Sequence, residues 1–335
     1  MNMIDFEKCE RNTCYYGGQA GEKYGIVYND KDYLLKFPRN MKDLKTKFPI
    51  SYGNNAFSEF LGSHFYEFMG IPVHETILGY SGKHYVVACK DFCLENNSVL
   101  YEFNKMANAF LTDGNLKNRS SVTSSGEVLL SDILLVMNTL QPLENIRSEL
   151  KKRFWEMFVV DTLIANPDRN SGNWGLLKPA WSRKAEDLIL APVYDNGNSL
   201  HCKAAPEVVR HYLNGSEDDR NRFAFQTLSI FTRIDKTGEQ KRINGTNFLV
   251  RRMNEDCSKT LMNLKDRIPD AIKQFDSLVD EIPVLSSEQR AFYKDSVSRR
   301  YEKGILKAVR EIQEKGLCSG EILDCVIPPD KSMTR

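Results

Sequence analysis

Two short polar segments constrain this chain of 335 residues more than any other feature: NPDRNSGN at 166–173 and VYDNG at 193–197. Asp168 precedes Asn173 by five residues, and Asp195 follows the apolar run LILAPVY, which predicts a strand. A carboxylate, a carboxamide and a second carboxylate in this order are typical of phosphoryl-transfer sites. The chain therefore has to fold so that a loop and a later turn bring these three side chains together.

The residue types suit that chemistry, because phosphoryl transfer needs positioning and charge neutralisation more than a covalent nucleophile. Asp168 is predicted to orient an acceptor hydroxyl and to accept its proton late in the reaction. Asn173 offers a neutral oxygen ligand and Asp195 a charged one, a pair that suits Mg²⁺. Gly197 allows a tight turn beside the metal. ATP is the predicted phosphoryl donor, although an Asp-Asn-Gly segment by itself is also a common surface turn.

A phosphate-binding loop is predicted near the N-terminus, where YYGGQAGEKYG precedes the alternating run YGIVYND. Backbone N–H groups in such a loop can approach phosphate oxygens closely. The predicted nucleotide-binding residues are Gly17, Gly18, Gln19, Ala20 and Gly21. The segment is not a Walker A loop, because no Gly-Lys-Ser/Thr follows, and a glycine-rich hairpin without a ligand is the alternative.

Lys36 ends the short run YLLK, from which a strand-borne ammonium can reach the phosphates. Glu59 lies 23 residues later in NNAFSEFLGSHFYEFMG, whose aromatic residues recur at helical spacing. Glu59 is predicted to pair with Lys36 and to hold it toward ATP. A solvated lysine at a strand end and a surface glutamate are the alternatives.

The segment HYVVACKDF at 84–92 predicts a buried strand followed by a polar dipeptide and an aromatic ring. In a two-lobed kinase it would lie where the lobes join. Its backbone is the predicted contact for adenine, at Cys89, Lys90, Asp91 and Phe92. Any central strand would have a similar composition, so this assignment depends on the kinase interpretation.

With these motifs in place, the chain resembles the HipA-like serine/threonine kinases over most of residues 5–200, and most closely their compact CtkA-type form. The most specific part of the resemblance is MFVVDTLIANPDRNSGNWG at 157–175. It implies that Asp168 is the catalytic base, that Asn173 and Asp195 bind the metal, and that Lys36 and the 17–21 loop bind nucleotide. ATP and Mg²⁺ are the implied cofactors. Family members usually have histidine where this chain has Asn170.

The expected fold is α+β and bilobal, with a small β-rich N-lobe over 1–95 and a larger helical C-lobe over 96–325. Residues 326–335 are expected to be a disordered tail. RSELKKRFWEMFVVDTLIAN has the apolar spacing of a buried helix that ends before Pro167, so it would carry the catalytic loop at its C-terminal end. The polar segment 111–128 is predicted to be a surface loop and a candidate for autophosphorylation.

The amino-acid composition limits the kinds of molecule that this chain is expected to bind and the compartment where it is expected to act. A net charge of +1, from 46 basic and 45 acidic residues, gives no sign of direct nucleic-acid binding. No apolar stretch approaches the roughly 20 residues of a membrane span, and the N-terminus is too polar for a signal peptide. The 8 cysteines lack Cys-x-x-Cys spacing, so free thiols are expected. We expect a cytoplasmic protein, with unconventional secretion left open.

The predicted function is an ATP- and Mg²⁺-dependent kinase that phosphorylates serine or threonine in proteins, with autophosphorylation. A small-molecule or phosphoinositide-like lipid kinase is one alternative, because those enzymes also use an Asp-Arg-x-x-x-x-Asn loop. A nucleotide-binding pseudokinase acting as a regulatory module is another. The resemblance implies two settings: a toxin restrained by an antitoxin, or a secreted effector that acts on a host-cell protein.

Overall fold

The structure is a computed structural model, and it describes residues 1–16, 21–38, 54–110, 122, 126–251 and 254–316. The predicted loop residues Gly17, Gly18, Gln19 and Ala20 lie outside the described residues, as do most of 111–128 and the 326–335 tail. None of the described helices is long and apolar enough to cross a membrane.

A six-stranded sheet dominates the N-terminal part. Its strands are β1 (Ile4–Asp5), β2 (Glu10–Arg11), β3 (Lys23–Tyr28), β4 (Lys31–Lys36), β5 (Thr76–Ser81) and β6 (His84–Lys90). Their order is β1-β5-β6-β4-β3-β2, and all neighbours are antiparallel except β1 and β5. Hairpins of this kind need only short connections, as in the tight turn at Asn29 and Asp30 between β3 and β4.

Strand periodicity decides where Lys36 points. In β4, Tyr33 and Leu35 are buried in a small cluster on one face of the sheet, together with Phe6, Ile26, Val86 and Ala88. Leu34 packs against the main core on the opposite face. Because side chains alternate along a strand, Lys36 projects from the same face as Leu34.

Helix α1 (Asn55–Phe68) packs on that opposite face, as its apolar spacing predicts. Phe57 lies against Tyr85 of β6 with ring centroids 5.5 Å apart, and Phe65 meets Phe275 of the helical part edge-on at 5.6 Å. The helix is thus buried between the sheet and the C-terminal helices. Glu59 comes to lie on this buried helix, opposite β4.

The rest of the chain is mainly helical. Its described helices of regular α type are α2 (Phe92–Glu95), α3 (Phe103–Phe110), α4 (Leu130–Thr139), α5 (Arg147–Leu163), α6 (Pro206–Asn214), α7 (Glu217–Phe225), α8 (Gly245–Arg251), α9 (Glu255–Leu264), α10 (Ile268–Glu281), α11 (Ser287–Arg300) and α12 (Leu306–Lys315). One π-helical turn, Tyr301–Ile305, joins α11 to α12. The prediction of a buried helix before Pro167 is confirmed by α5.

Two small sheets in this part were not predicted. One contains β7 (Ser98–Glu102), β9 (Gly175–Pro179) and β10 (Ile189–Leu190), and the other contains β8 (Val128–Leu129), β11 (Phe231–Ile234) and β12 (Gln240–Arg242). The prediction of a strand through LILAPVY is largely wrong, because only Ile189–Leu190 pairs. Pro192 has no N–H to donate, and Val193 makes one isolated bridge to Val73.

Candidate active site

The predicted lysine–glutamate pair is present at the junction of the sheet and α1. Lys36 Nζ donates to Glu59 Oε2 at 2.9 Å and to Asp195 Oδ1 at 3.0 Å. One ammonium therefore joins the sheet, the buried helix and the Asp-Asn-Gly turn. Burial lowers the pKa of Lys36, but the Asp195 and Glu59 carboxylates outweigh that effect and hold it well above its ordinary value.

Glu59 is held by more than the lysine. Its Oε1 accepts the backbone N–H of Asn196 at 2.8 Å and lies 3.1 Å from Nε2 of His74. Burial raises the pKa of Glu59, and the charge of Lys36 and the hydrogen bond with His74 lower it further than burial raises it. The Glu59 carboxylate is thus ionised and held by three groups, and it in turn holds the Lys36 ammonium in a fixed position.

A second lysine, which sequence reasoning missed, shares this region. Lys23 is the direct cross-strand partner of Lys36, so both side chains leave the same face of the sheet. Burial and the nearby charge of Lys36 lower the pKa of Lys23, while Asp195 opposes them. Only the pairing of β3 with β4 brings these lysines together. Two lysines and the carboxylates of Glu59 and Asp195 therefore lie together on this face of the sheet.

Asp168 lies in the loop after α5, and both its carboxylate oxygens accept amide hydrogens. Asn170 Nδ2 donates to Oδ1 at 3.1 Å, and Asn198 Nδ2 donates to Oδ2 at 2.8 Å. The pKa of Asp168 is raised, chiefly by burial and also by the charge of Asp195, against the lowering effects of Asn170, Lys203 and Asn198. The residue in place of the family histidine thus orients the predicted base.

Asn173 lies in the same loop, and its side chain points back toward the Asp168 backbone. Its Nδ2 donates to the carbonyl oxygen of Asp168 at 2.7 Å, which fixes the orientation of the amide. No hydrogen bond within the described ranges uses its Oδ1, so that oxygen is the one available to a cation. The Asp195 side chain is 44% exposed, and its Oδ1 accepts from Lys36 Nζ at 3.0 Å. A neutral and a charged oxygen of this kind fit Mg²⁺, which prefers few protein ligands together with water and phosphate.

A buried arginine fixes the loop to the turn. Arg169 forms a bidentate pair with Asp161 of α5, with Nε to Oδ2 at 2.9 Å and Nη2 to Oδ1 at 3.1 Å. It also donates to the carbonyl oxygens of Asn173, at 3.0 Å, and Tyr194. One guanidinium therefore holds both Asn173, a predicted metal ligand, and Tyr194, the residue before the second predicted ligand, Asp195. Asp161, in the last turn of α5, thus holds this arginine in place.

The Asp195 turn approaches α1 closely. Asp195 has a φ of 59°, in the left-handed region that aspartate adopts more readily than most residues. A Cβ at Gly197 would lie 3.1 Å from Glu59 Oε2, so the glycine allows the turn to pass beside the buried carboxylate. Asn55 Nδ2 donates to the Gly197 carbonyl at 2.9 Å and holds the turn from the start of α1.

Of the predicted nucleotide loop, only Gly21 is described, with a φ of 72°. The loop connects β2 and β3, which are adjacent antiparallel strands, and it ends just before Lys23. Gly21 precedes Lys23, the cross-strand partner of Lys36, by two residues. Phosphate binding by residues 17–21 stays a prediction.

Two predicted adenine-binding donors are occupied. Lys90 N–H donates to the Glu75 carbonyl and Asp91 N–H to the Asp32 carbonyl, each at 2.9 Å. The carboxylate of Asp91 caps α2 by accepting the N–H groups of Cys93 and Leu94. An adenine contact from Cys89 to Phe92 would therefore have to use other backbone groups.

Comparison with known proteins gives the family. No family model matches the chain. The serine/threonine-protein kinase CtkA of Helicobacter pylori strain J99 is 32% identical over 305 residues, covering 90% of this chain and 86% of the relative. The crystal structure of a Helicobacter pylori proinflammatory kinase, CtkA, has a TM-score of 0.80 at 31% identity, covering 94% of this chain and 99% of that one.

A HipA chain from a toxin–antitoxin complex of Shewanella oneidensis MR-1 with HipB and operator DNA is also similar, at 13% identity. It covers 90% of this chain and 67% of its own, but its TM-score of 0.45 is too low to support an argument. The CtkA match confirms the resemblance and the kinase-like α+β fold that the sequence predicts. The chain belongs to the CtkA family of serine/threonine-protein kinases.

Proposed function

We propose that this protein transfers the γ-phosphate of ATP to serine or threonine hydroxyls of proteins, with Mg²⁺ as the metal. The observation that carries the proposal is the Lys36 ammonium between Glu59 and Asp195, at 2.9 and 3.0 Å. Kinases use such a lysine–glutamate pair to position the nucleotide phosphates. Sequence similarity to a serine/threonine-protein kinase supports serine and threonine hydroxyls as the acceptors.

Each residue then has a distinct task. Lys36 binds nucleotide phosphate oxygens, and Glu59 keeps it in place. Asp168 orients the acceptor hydroxyl and accepts its proton, with its carboxylate fixed by two amides. Asn173 and Asp195 would hold the metal, which neutralises charge on the phosphates when it is bound. Because Asp195 Oδ1 accepts from Lys36 Nζ, the positions of the lysine and of its predicted metal ligand depend on each other.

The test is incubation of the purified protein with ATP and Mg²⁺, followed by mass spectrometry to locate phosphate on protein. We expect phosphoserine or phosphothreonine with the wild type, and a loss of at least about 100-fold in Asp168→Ala and Asp195→Asn. Asp218→Asn is the matched control, because Asp218 is an exposed residue in the first turn of α7. It should retain full activity.

The same experiment separates the alternatives. Phosphate on a lipid or small molecule but never on protein would replace the proposal with the lipid- or small-molecule-kinase hypothesis. ATP binding without turnover would favour the pseudokinase, although both Asp168 and Asp195 are retained. We propose segment 111–128 as an autophosphorylation site, which the peptide masses test directly.

The biological setting requires a separate comparison. We propose that the protein acts on another protein. The resemblance implies two settings: a toxin that an antitoxin restrains, or an effector that acts inside a host cell. Growth arrest on expression in bacteria that disappears with Asp168→Ala would support the toxin. Normal bacterial growth together with Asp168-dependent phosphorylation of proteins in a eukaryotic extract would support the effector.

A further inference from the structure

The side chain of Asn196, directly after the predicted metal ligand Asp195, is completely buried inside the site. Its Oδ1 accepts from Arg169 Nη2, and its Nδ2 donates to Ser63 Oγ at 3.0 Å. Its backbone N–H donates to Glu59 Oε1 at 2.8 Å. Both ends of the side-chain amide and the backbone N–H are therefore bonded to groups that belong to the site.

On one side, Asn196 is joined to the loop that carries Asp168. Arg169 is the next residue of that loop and is buried. The guanidinium that donates to Asn196 also donates to the carbonyl oxygen of Asn173 at 3.0 Å. A shift of the Asp195 turn would therefore be transmitted through one arginine to the other predicted metal ligand.

On the other side, the amide reaches the lysine–glutamate pair through α1. Ser63 is a buried residue of α1, four positions after Glu59. Its Oγ lies 3.2 Å from His74 Nε2, which lies 3.1 Å from Glu59 Oε1. Glu59 in turn accepts from Lys36. The Asp195 turn is therefore linked to Glu59 by two routes, one through its backbone and one through Ser63 and His74.

An amide is the side chain that suits this position. Arg169 has only donors and needs an acceptor, whereas the Ser63 hydroxyl accepts a hydrogen here, and one amide meets both requirements. An aliphatic residue would leave both partners unsatisfied. A carboxylate would bury a further charge, and Arg169 is already paired with Asp161. Helix α1 also packs tightly here, because a Cβ at Gly62 would lie 3.0 Å from Asn196 Cβ.

We propose that Asn196 is a positioning residue for phosphoryl transfer, which fixes Asp195 relative to both Lys36 and the loop that carries Asp168. The inference rests on the proposed function, because that function assigns metal binding to Asp195. Asp195 adopts a φ of 59°, and a conformation of this kind persists where the surroundings hold it. Three hydrogen bonds of the next residue do so. A displacement of about 1 Å near the reacting atoms can lower a rate about 100-fold.

The test is steady-state kinetics of protein phosphorylation by the wild type and Asn196→Ala, with ATP and Mg²⁺ varied separately. The variant keeps the backbone N–H that holds Glu59, so the KM for ATP at saturating Mg²⁺ should change by less than about threefold. Its kcat should fall about tenfold or more, because Asp195 is less well placed. The Mg²⁺ concentration for half-maximal activity should rise for the same reason.

Asn254→Ala is the matched control for loss of stability. Asn254 caps α9 by accepting the Cys257 N–H at 2.8 Å. Two residues later, Asp256 pairs with Lys151 near the start of α5, at the end of that helix away from the Asp168 loop. This variant should lower the melting temperature. Its kcat and Mg²⁺ requirement, measured well below the melting temperature, should equal those of the wild type.

Ser63→Ala provides a second test that does not depend on the folding of Asn196→Ala. It removes one hydroxyl from α1 and should lower kcat by about threefold or more with the KM for ATP unchanged. An active wild type together with unaltered kcat and Mg²⁺ requirement in the folded variants would overturn the inference alone. An equal loss of kcat in Asn254→Ala would overturn it too. A wild type that transfers no phosphate to protein would overturn the proposed function, and the inference with it.

Discussion

Removing Lys36 should destabilise the protein, and removing the charge of Glu59 as well should restore part of the loss. In Lys36→Met, the Glu59 carboxylate keeps His74 and Asn196 but loses its cation, and its side chain is only 2% exposed. Breaking a buried pair from one side usually costs about 3–5 kcal/mol. We expect about 3 kcal/mol, because the Lys36 side chain is 26% exposed and Glu59 retains two partners.

Glu59→Gln has a different cost. The glutamine has one carbonyl oxygen and one NH₂ group, so it cannot accept from both Lys36 and the Asn196 N–H as the carboxylate does. One buried donor is left mispaired, at about 1–3 kcal/mol. In the double variant, residue 59 on α1 carries no charge and so needs no cation. The glutamine amide can turn its oxygen toward the Asn196 N–H. The double variant should therefore be more stable than Lys36→Met alone by about 1–2 kcal/mol.

Urea denaturation of the wild type, both single variants and the double variant measures this directly, provided that the slope with urea is unchanged. Glu67→Gln is a suitable control on the same helix, because Glu67 is largely exposed. Its effect on the free energy of unfolding should be small and should add to that of Lys36→Met. A double variant no more stable than Lys36→Met would refute the inference that Glu59 is an ionised carboxylate dependent on this lysine.

Three further outcomes follow from the geometry of the site. Asn198→Ala removes one of the amides that fix Asp168, so kcat should fall about tenfold with little change in nucleotide affinity, and steady-state kinetics would show an unchanged kcat if that amide did not matter. Asp195→Asn should raise the Mg²⁺ concentration needed for half-maximal activity, measured by metal titration, whereas an unaltered requirement would remove Asp195 from the metal site. Burial and the charge of Arg300 hold the pKa of His201 well below its ordinary value. Below about pH 6.5 the unfolded chain therefore binds a proton that the folded chain does not. The free energy of unfolding consequently falls as the pH falls. The free energy of unfolding should therefore decrease less between pH 8 and pH 5.5 in His201→Asn than in the wild type, and equal decreases would contradict that assignment.

Local patterns predicted the elements that carry the site. The apolar spacing of α5 and the proline after it determine where the loop that carries Asp168 begins. Alternation along β4 places Lys36 on the face that α1 covers, so its pairing with Glu59 could be predicted from two short segments. LILAPVY misled because apolar composition indicates burial, while Pro192 prevents the pairing that a strand needs.

The parts of the site that sequence reasoning missed are contacts across long chain separations. His74 and Asn198 belong to no recognisable motif. The contact of the Asn196 N–H with Glu59 became evident only where α1 and the Asp195 turn meet. Lys23 required knowledge of strand register, because a lysine at the start of a strand has no pattern that names its cross-strand partner. Amide and imidazole side chains of this kind are common in every loop, so their residue type alone carries little information.

The reaction class could be predicted before folding is considered, because the residue types and the order of Asp168, Asn173 and Asp195 indicate phosphoryl transfer. The sequence also determined the local elements that present them, since helix and strand periodicity are properties of short segments. What fixes these side chains is visible only in the folded chain: two amides on the Asp168 carboxylate, a lysine shared by two carboxylates, and the buried Arg169 that ties the loop to the Asp195 turn. Those features depend on which groups meet after folding, and on how much water burial removes from around each charge.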